Sequence, residues 1–243
     1  MAIDRRVLWR GLGGSRYFEY SWLLRHIGSL RPGLRVLDVG AGPSVLPALL
    51  AHRGYTSVAS DTDAGELAPQ RTFRNRPGVG GRLHALVHDG ARLAVRDRSC
   101  DVVICRSVLE HISVPGDAAT VAELARCVAR GGLLLITVPF APRYREATPP
   151  YQSGGHQRLY DLSALEERII AASGLAPIDR AFIGWPHRAV FRLMLRADRY
   201  RVVRLMHRWF SLVAPSAIFG VVGRDATDRA GGALLALRND ALD

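Results

Sequence analysis

The stretch Val36-Leu37-Asp38-Val39-Gly40-Ala41-Gly42-Pro43-Ser44 decides the fold, because an apolar strand-like run reaches a carboxylate just before a glycine turn and a helical pattern. A strand, glycine turn and helix N-terminus ordinarily make an anion site, where free N–H groups and the helix dipole favour phosphate. Asp38 would repel a pyrophosphate there, and Pro43 removes one of the N–H donors it would use. The turn therefore suits a ligand that is cationic where it meets Asp38 and that touches bare backbone at Gly40 and Gly42.

Around this turn the chain alternates strand and helix patterns. Before it, residues 15–30 place Tyr17, Tyr20, Leu23, Leu24 and Ile27 near one helical face. After it, Gly54, Gly131 and Gly174 each follow an apolar-periodic segment and precede a strand-like run, as helix-stopping residues do. The segment 117–129 carries a stripe of Ala118, Val121, Leu124, Ala125 and Val128, and 161–173 one of Leu162, Leu165, Ile169 and Ala172. Such alternation predicts an α/β domain with a largely parallel sheet and helices on both faces. Ligands of such sheets bind beyond the carboxyl ends of the strands, where Asp38, Asp61, Asp89 and Arg106 all fall. Residues 139–160, rich in proline and glycine, read as a long loop beside that cleft, and long ordered loops in compact domains are usually functional.

Composition narrows the class. The 243 residues are 48% hydrophobic, with a mean hydropathy of +0.05, which suits one globular domain. No internal repeat or linker tract divides them. Cys100, Cys105 and Cys127 lack metal or redox spacing and read as reduced core residues of a cytoplasmic protein. The charged start (Asp4, Arg5, Arg6, Arg10) does not read as a signal peptide. No uncharged run approaches a membrane span. The net charge of +11 rests on arginine alone, since the chain has no lysine. A field of that sign attracts phosphates, anionic lipids or acidic substrates. Between residues 185 and 215, arginines interleave with large apolar side chains. That segment is either a helical element packed on the domain before a last strand at 216–222, or a basic amphipathic face in peripheral contact with an anionic inner membrane surface.

With these residues in view, the chain resembles the class I S-adenosylmethionine-dependent methyltransferases of small-molecule type. S-adenosylmethionine, with its ammonium and sulfonium, is a ligand of the kind the glycine turn suits. Four further segments stand in the family's order: Ser57-Val58-Ala59-Ser60-Asp61, Val87-His88-Asp89-Gly90-Ala91, Cys100 to His111, and Gly131 to Pro139. The resemblance covers residues 15 to 183 and weakens afterwards. It implies a Rossmann-like, doubly wound, mostly parallel seven-stranded sheet. It also implies one domain over 1–243, with a helical segment (1–33) over the cleft, a cofactor-binding core (34–183), and a basic segment, last strand and tail (184–243). For the cofactor it implies Asp38, Gly40, Ala41 and Gly42 in the first loop, Asp61 with Thr62 at the ribose, Asp89 with Gly90 at the adenine, and Arg106 at the end of the fourth strand. Ser44 stands where a third glycine is common, and a serine at a helix start can cap it.

Methyl transfer from a sulfonium is a displacement with a neutral leaving group, so much of the catalysis can come from placing the acceptor in line. A base is needed only for a protonated acceptor. His111, in the Glu110-His111 pair, and His156, in Gly155-His156-Gln157-Arg158-Leu159-Tyr160, are the candidate bases, and a role in fixing its turn reads somewhat ahead of that of a base for His111. Tyr17, Arg158 and Tyr160 are candidate acceptor-binding residues, with loop anchoring the competing role for Arg158 and Tyr160.

The fourth segment reads Cys105-Arg106-Ser107-Val108, unlike the Asn/Asp-Pro-Pro-aromatic sequence typical of enzymes that methylate exocyclic amines of bases. No added RNA-binding module is visible. The acceptor expected is thus a small molecule, a saccharide or a lipid head group, and nucleic acid is not an expected partner. Two alternatives stay open: a binding or assembly protein that keeps the fold without transfer, and an RNA ribose or ring-carbon methyltransferase. A nicotinamide-dependent oxidoreductase is disfavoured, because Val45 stands where its fingerprint expects glycine or alanine.

Overall fold

A computed structural model describes residues 14–112, 115–147, 157–184, 220–223, 227–228 and 230–240. Helix α1 (Gly14–Gly28) leads into strand β1 (Arg35–Val39), helix α2 (Leu46–His52), β2 (Thr56–Asp61), α3 (Ala68–Arg74) and β3 (Leu83–Val87). Next come β4 (Cys100–Arg106), α4 (Gly116–Cys127), β5 (Val128–Pro139), and the short strands β6 (Arg145–Ala147) and β7 (Gln157–Leu159). The chain continues through α5 (Leu162–Leu165), which runs on as a π-helical turn (Glu166–Ala171), to β8 (Ala176–Gly184), β9 (Gly220–Val222) and β10 (Ala230–Arg238).

Eight strands form the main sheet in the order β3-β2-β1-β4-β5-β10-β8-β9. The pairs among β1 to β5 are parallel, whereas β10 runs antiparallel to both neighbours, β5 and β8. The order reverses between β1 and β4, so the cleft beyond Val39 and Arg106 lies at the topological switch point.

Alternation along the strands sorts the core into two layers. One layer joins Val36, Val102, Ile104, Leu133 and Leu135 to Trp22, Leu23 and Ile27 of α1 and to Leu46 and Leu50 of α2. The other joins Leu37, Val103, Leu134, Ile136 and Val138 to Val121 and Leu124 of α4 and to Leu165 and Ile169 of α5. Helix α1 is held further by Trp22, whose Nε1–H donates to Asp179 Oδ2 at 3.0 Å, and by His26 Nε2, 3.2 Å from the same oxygen.

The doubly wound α/β expectation holds, with three differences. The sheet has eight strands and not seven, because β9 adds a three-residue edge. The last strand is Ala230–Arg238, not 216–222. Its run Ala233–Leu237 is buried on both faces, so it shows no period-2 alternation, and its alanines and leucines read equally as helix. Residues 139–160 are not loop throughout, since β6 and β7 pair antiparallel within them. The arginine-rich segment 185–215 lies outside the described residues.

All three cysteines are free and buried. Burial pushes their thiols up, Cys127 to about 11 and Cys100 and Cys105 also above the ordinary range. Folded protein at pH 8 is accordingly expected to resist a thiol-reactive dye until denaturant is added. A thiol titrating under native conditions would contradict this packing.

Candidate functional site

The carboxyl ends of β1, β2 and β4 bring the first loop, Asp61 and Arg106 to one cleft. Asp38 is fully buried. Two residues on, Gly40 adopts φ +68°, and a Cβ there would stand 2.2 Å from Val108 Cγ2. Glycine is needed twice over, for the left-handed backbone and for the close approach of the chain after β4. Ala41 is buried, and its N–H donates to the Ser60 carbonyl at 2.9 Å.

The N–H of Gly42, itself at φ +50°, donates to Asp61 Oδ2 at 3.0 Å, and that of Asp63 to Asp61 Oδ1 at 3.2 Å. Asp61 therefore ties the glycine loop to the end of β2 and, with about four lone-pair sites on a carboxylate, retains acceptor capacity. Exposed Thr62 stands beside it. Ser44 precedes the N-cap of α2, Val45, and its Oγ accepts the Leu46 N–H at 3.1 Å and lies 3.0 Å from Tyr20 Oη.

At the end of β3, exposed Asp89 accepts the Ala91 N–H at 2.9 Å, and Gly90 packs near Val39 and Thr120. Arg106 is 8% exposed, with its guanidinium carbon 4.9 Å from the centre of the Tyr20 ring.

Two residues of this region escaped sequence reasoning. Buried Gln70 of α3 donates its Nε2–H groups to the carbonyls of Gly42 (3.0 Å) and Ser44 (2.8 Å), bracing the loop from behind. A glutamine in a helix with no apolar stripe gives no such signal in one sequence. His88 lies between Asp61 and Asp89 in the chain, both ring nitrogens buried without a partner among the described residues. Burial lowers its pKa against the opposing pull of Asp89, which favours the neutral ring.

The remaining candidates separate. His111 sits on a 3-10 turn (Leu109–His111) after β4, its side chain 46% exposed and Nε2 4.0 Å from Glu110 Oε1. His156 lies outside the described residues, as does the side chain of Tyr17, whose backbone belongs to α1.

Arg158 and Tyr160 are fully buried, which corrects the expectation that they face an acceptor. Arg158 donates to Asp117 Oδ2 at 2.7 Å, to Tyr160 Oη at 3.2 Å and to the Ile112 carbonyl at 2.9 Å. Tyr160 Oη donates to Asp117 Oδ2 at 3.0 Å, and Arg168 grips the same carboxylate through Nε and Nη2. With the Arg158 Nη1 and Nη2 groups and the Tyr160 hydroxyl engaged inward, these residues fasten the β6–β7 pair to α4 and to the turn after β4.

Comparison with known proteins agrees with this geometry. Residues 37–136 match a family model described as a methyltransferase domain. The demethylmenaquinone methyltransferase of Parafrankia sp. (strain EAN1pec) is 30% identical over 188 residues, 70% of each chain. A ubiquinone biosynthesis O-methyltransferase of Rhizobium johnstonii is 27% identical over 172 residues, covering 65% of this chain and 66% of that one.

Among solved structures, the Burkholderia thailandensis 1,6-didemethyltoxoflavin-N1-methyltransferase, with 1,6-didemethyltoxoflavin and S-adenosylhomocysteine bound, superposes with a TM-score of 0.65. It shares 16% identity, over 97% of this chain and 82% of that one. The [4+2]-cyclase SpnF shares the fold at a TM-score of 0.60 and 20% identity, over 92% and 81% of the two chains.

The chain belongs to the class I S-adenosylmethionine-dependent methyltransferases. It is an enzyme whose cofactor is S-adenosylmethionine. The residues present fit that group: Asp38 is a buried acid near the end of β1, and Gly40 turns the loop after it at φ +68°.

Proposed function

We propose that this methyltransferase acts on a small-molecule acceptor of hydroxylated quinone or aromatic type, a narrower class than the small molecules, saccharides and lipid head groups its sequence admits. The observation that carries this reading is the likeness to demethylmenaquinone methyltransferases, which spans 70% of both chains. The cofactor supplies an electrophilic methyl group on a sulfonium. In this reading Asp38, Gly40, Ala41 and Gly42 receive its amino-acid end, Asp61 and Thr62 its ribose, and Asp89 and Gly90 its adenine.

Two substitutions test these roles. Asp61→Ala is expected to weaken cofactor binding at least about tenfold, since charged hydrogen bonds contribute roughly 1.5–3 kcal/mol. Unchanged affinity in calorimetry would remove the ribose assignment. If exposed His111 takes the proton of an acceptor hydroxyl, His111→Gln lowers kcat about a hundredfold with KM held, in the range of general-base effects. A change in thermal stability alone would leave His111 the role of fixing its turn.

The acceptor class itself is tested by incubating the protein with S-adenosylmethionine and a reduced demethylnaphthoquinone, using Asp38→Ala as control. A product one methyl group heavier, formed only by the unmodified protein, is the expected result. Methylation of a saccharide or a lipid head group in place of the quinol would overturn the quinone reading.

A further inference from the structure

We propose that the outer edge of β3 is a docking site for an extended acidic segment of another protein, which adds to the sheet as a further strand. Strand β3 ends the sheet order, with β2 as its one neighbour among the described residues. The N–H of His88, just past the strand, donates to the Asp61 carbonyl of β2 at 3.1 Å. Backbone groups of successive strand residues turn to opposite edges, so Ala85 and Val87 present their N–H and C=O outward, where no described residue takes them.

Such an edge is ordinarily blunted by a proline, a bulge or a covering element. Among the described residues β3 shows none of these. Leu83–Val87 contains no proline, its register with β2 runs unbroken, and His84, Ala85 and Val87 are exposed, Val87 by 53%.

Charge selects the occupant. From Leu67 to His88 the chain has four arginines and no acid. Arg71 and Arg74 lie on α3, Arg76 just after it, and Arg82 on the 3-10 turn (Gly80–Arg82) that leads into β3. Helix α3 packs on both that turn and the strand. All four arginines are exposed, and none makes an ion pair or side-chain hydrogen bond among the described residues. The flanking acids sit towards the cofactor cleft, Glu66 near Gly42 and Asp89 beyond the carboxyl end of β3.

Guanidinium forks match carboxylates, so an acidic strand would gain ion pairs from this fringe as well as main-chain hydrogen bonds from β3. A polynucleotide or a bilayer would use the arginines but leave the open N–H and C=O groups unmet. A second copy of this chain would bring its own net charge of +11 against the same charge, which opposes pairing of two β3 edges.

The probe is a blocked peptide of alternating glutamate and valine, about six residues long as strands commonly are, titrated into the whole protein by calorimetry. It is expected to bind at least about tenfold more tightly than its lysine-for-glutamate counterpart, with the gap closing as salt screens the arginines. Ala85→Pro removes an outward N–H and none that β2 uses, a place where an edge strand accepts proline. That variant should bind the acidic peptide about tenfold more weakly, and so should Arg76→Gln combined with Arg82→Gln. Hydrogen exchange on the unmodified protein gives a readout that needs no variant to fold. Bound peptide should slow the amides of Ala85 and Val87 and leave those of His84 and Leu86, which face β2, unchanged.

Folded protein that ignores the acidic peptide overturns the proposal. Binding undiminished in Ala85→Pro also overturns it, because the site would then be a charged surface and not a strand edge. Tighter binding of duplex RNA or of phosphatidylglycerol vesicles, lost in the arginine variant, assigns the face to those polyanions instead. A dimer in sedimentation that Ala85→Pro dissociates gives the edge to a second copy.

Discussion

Asp117→Ala is expected to destabilise the protein by about 3–5 kcal/mol, the range for removing one partner of a buried ion pair. The carboxylate is fully buried and accepts hydrogen bonds from Arg158, Arg168 and Tyr160. Arg158 is also fully buried, so without Asp117 its charge would keep, among the described residues, carbonyls, the phenols of Tyr160 and Tyr144 and a partly exposed Glu146 3.6 Å away. Asp117→Asn keeps the volume and loses the charge, so it should cost nearly as much.

The pH dependence has a definite sign. Burial alone would raise the pKa of Asp117, but hydrogen bonds from Arg168 and Tyr160 and the charge of Arg158 outweigh it and hold the group below the usual carboxylate value. Its stabilisation is therefore complete above about pH 4 and is lost as pH falls through the lowered native value. Urea unfolding at pH 7 and pH 3 checks both points: the variant should lie well below the unmodified protein at pH 7, and the gap should narrow in acid. A difference under about 1 kcal/mol at pH 7 would show that the network is not structural. Because Arg158 also holds the carbonyls of Leu109 and Ile112, the same substitution should loosen the turn that carries His111.

Gly40→Ala carries the second large effect. A left-handed alanine costs about 1–2 kcal/mol, and overpacking against Val108 adds roughly 1–3 kcal/mol. The stability loss expected is thus about 2–5 kcal/mol, with cofactor binding falling alongside as the loop shifts. Gly40→Ala combined with Val108→Ala separates the two causes. The second substitution opens the space at Val108 Cγ2 but leaves the backbone strain, so only part of the loss should return. Complete recovery would mean that φ +68° is not maintained in solution.

The parts of this molecule legible in its sequence are those where chemistry and chain order coincide. Asp38 and the glycine turn could be read because a carboxylate ending an apolar strand excludes most phosphate ligands. Gly54 and Gly174 could be read as helix stops, and both adopt positive φ, whereas Gly131, read the same way, lies inside β5, beyond the end of α4. What escaped depended on contacts between distant residues. Gln70 reaches carbonyls 26 and 28 residues away in the chain, and Asp117 meets Arg158 from 41 residues away, with no local pattern to announce either. The placement of Arg158 and Tyr160 inside the protein follows from that pairing, and their types alone suit a ligand site equally well. The strand at 230–238 was obscured because a strand buried on both faces loses the alternation by which strands are recognised.

That strand has a consequence for how the protein is made. Strand β10 lies between β5 and β8 and pairs with both along most of its length. On a ribosome delivering about 5–20 residues per second, β10 would emerge roughly 5–20 s after β5. Throughout that interval β5 presents an open hydrogen-bonding edge that nothing earlier in the chain can close, and β8, made partway through it, can join the sheet only when β10 arrives. The nascent protein therefore passes through a half-built sheet with an adhesive seam, the stage at which a chaperone would serve it most.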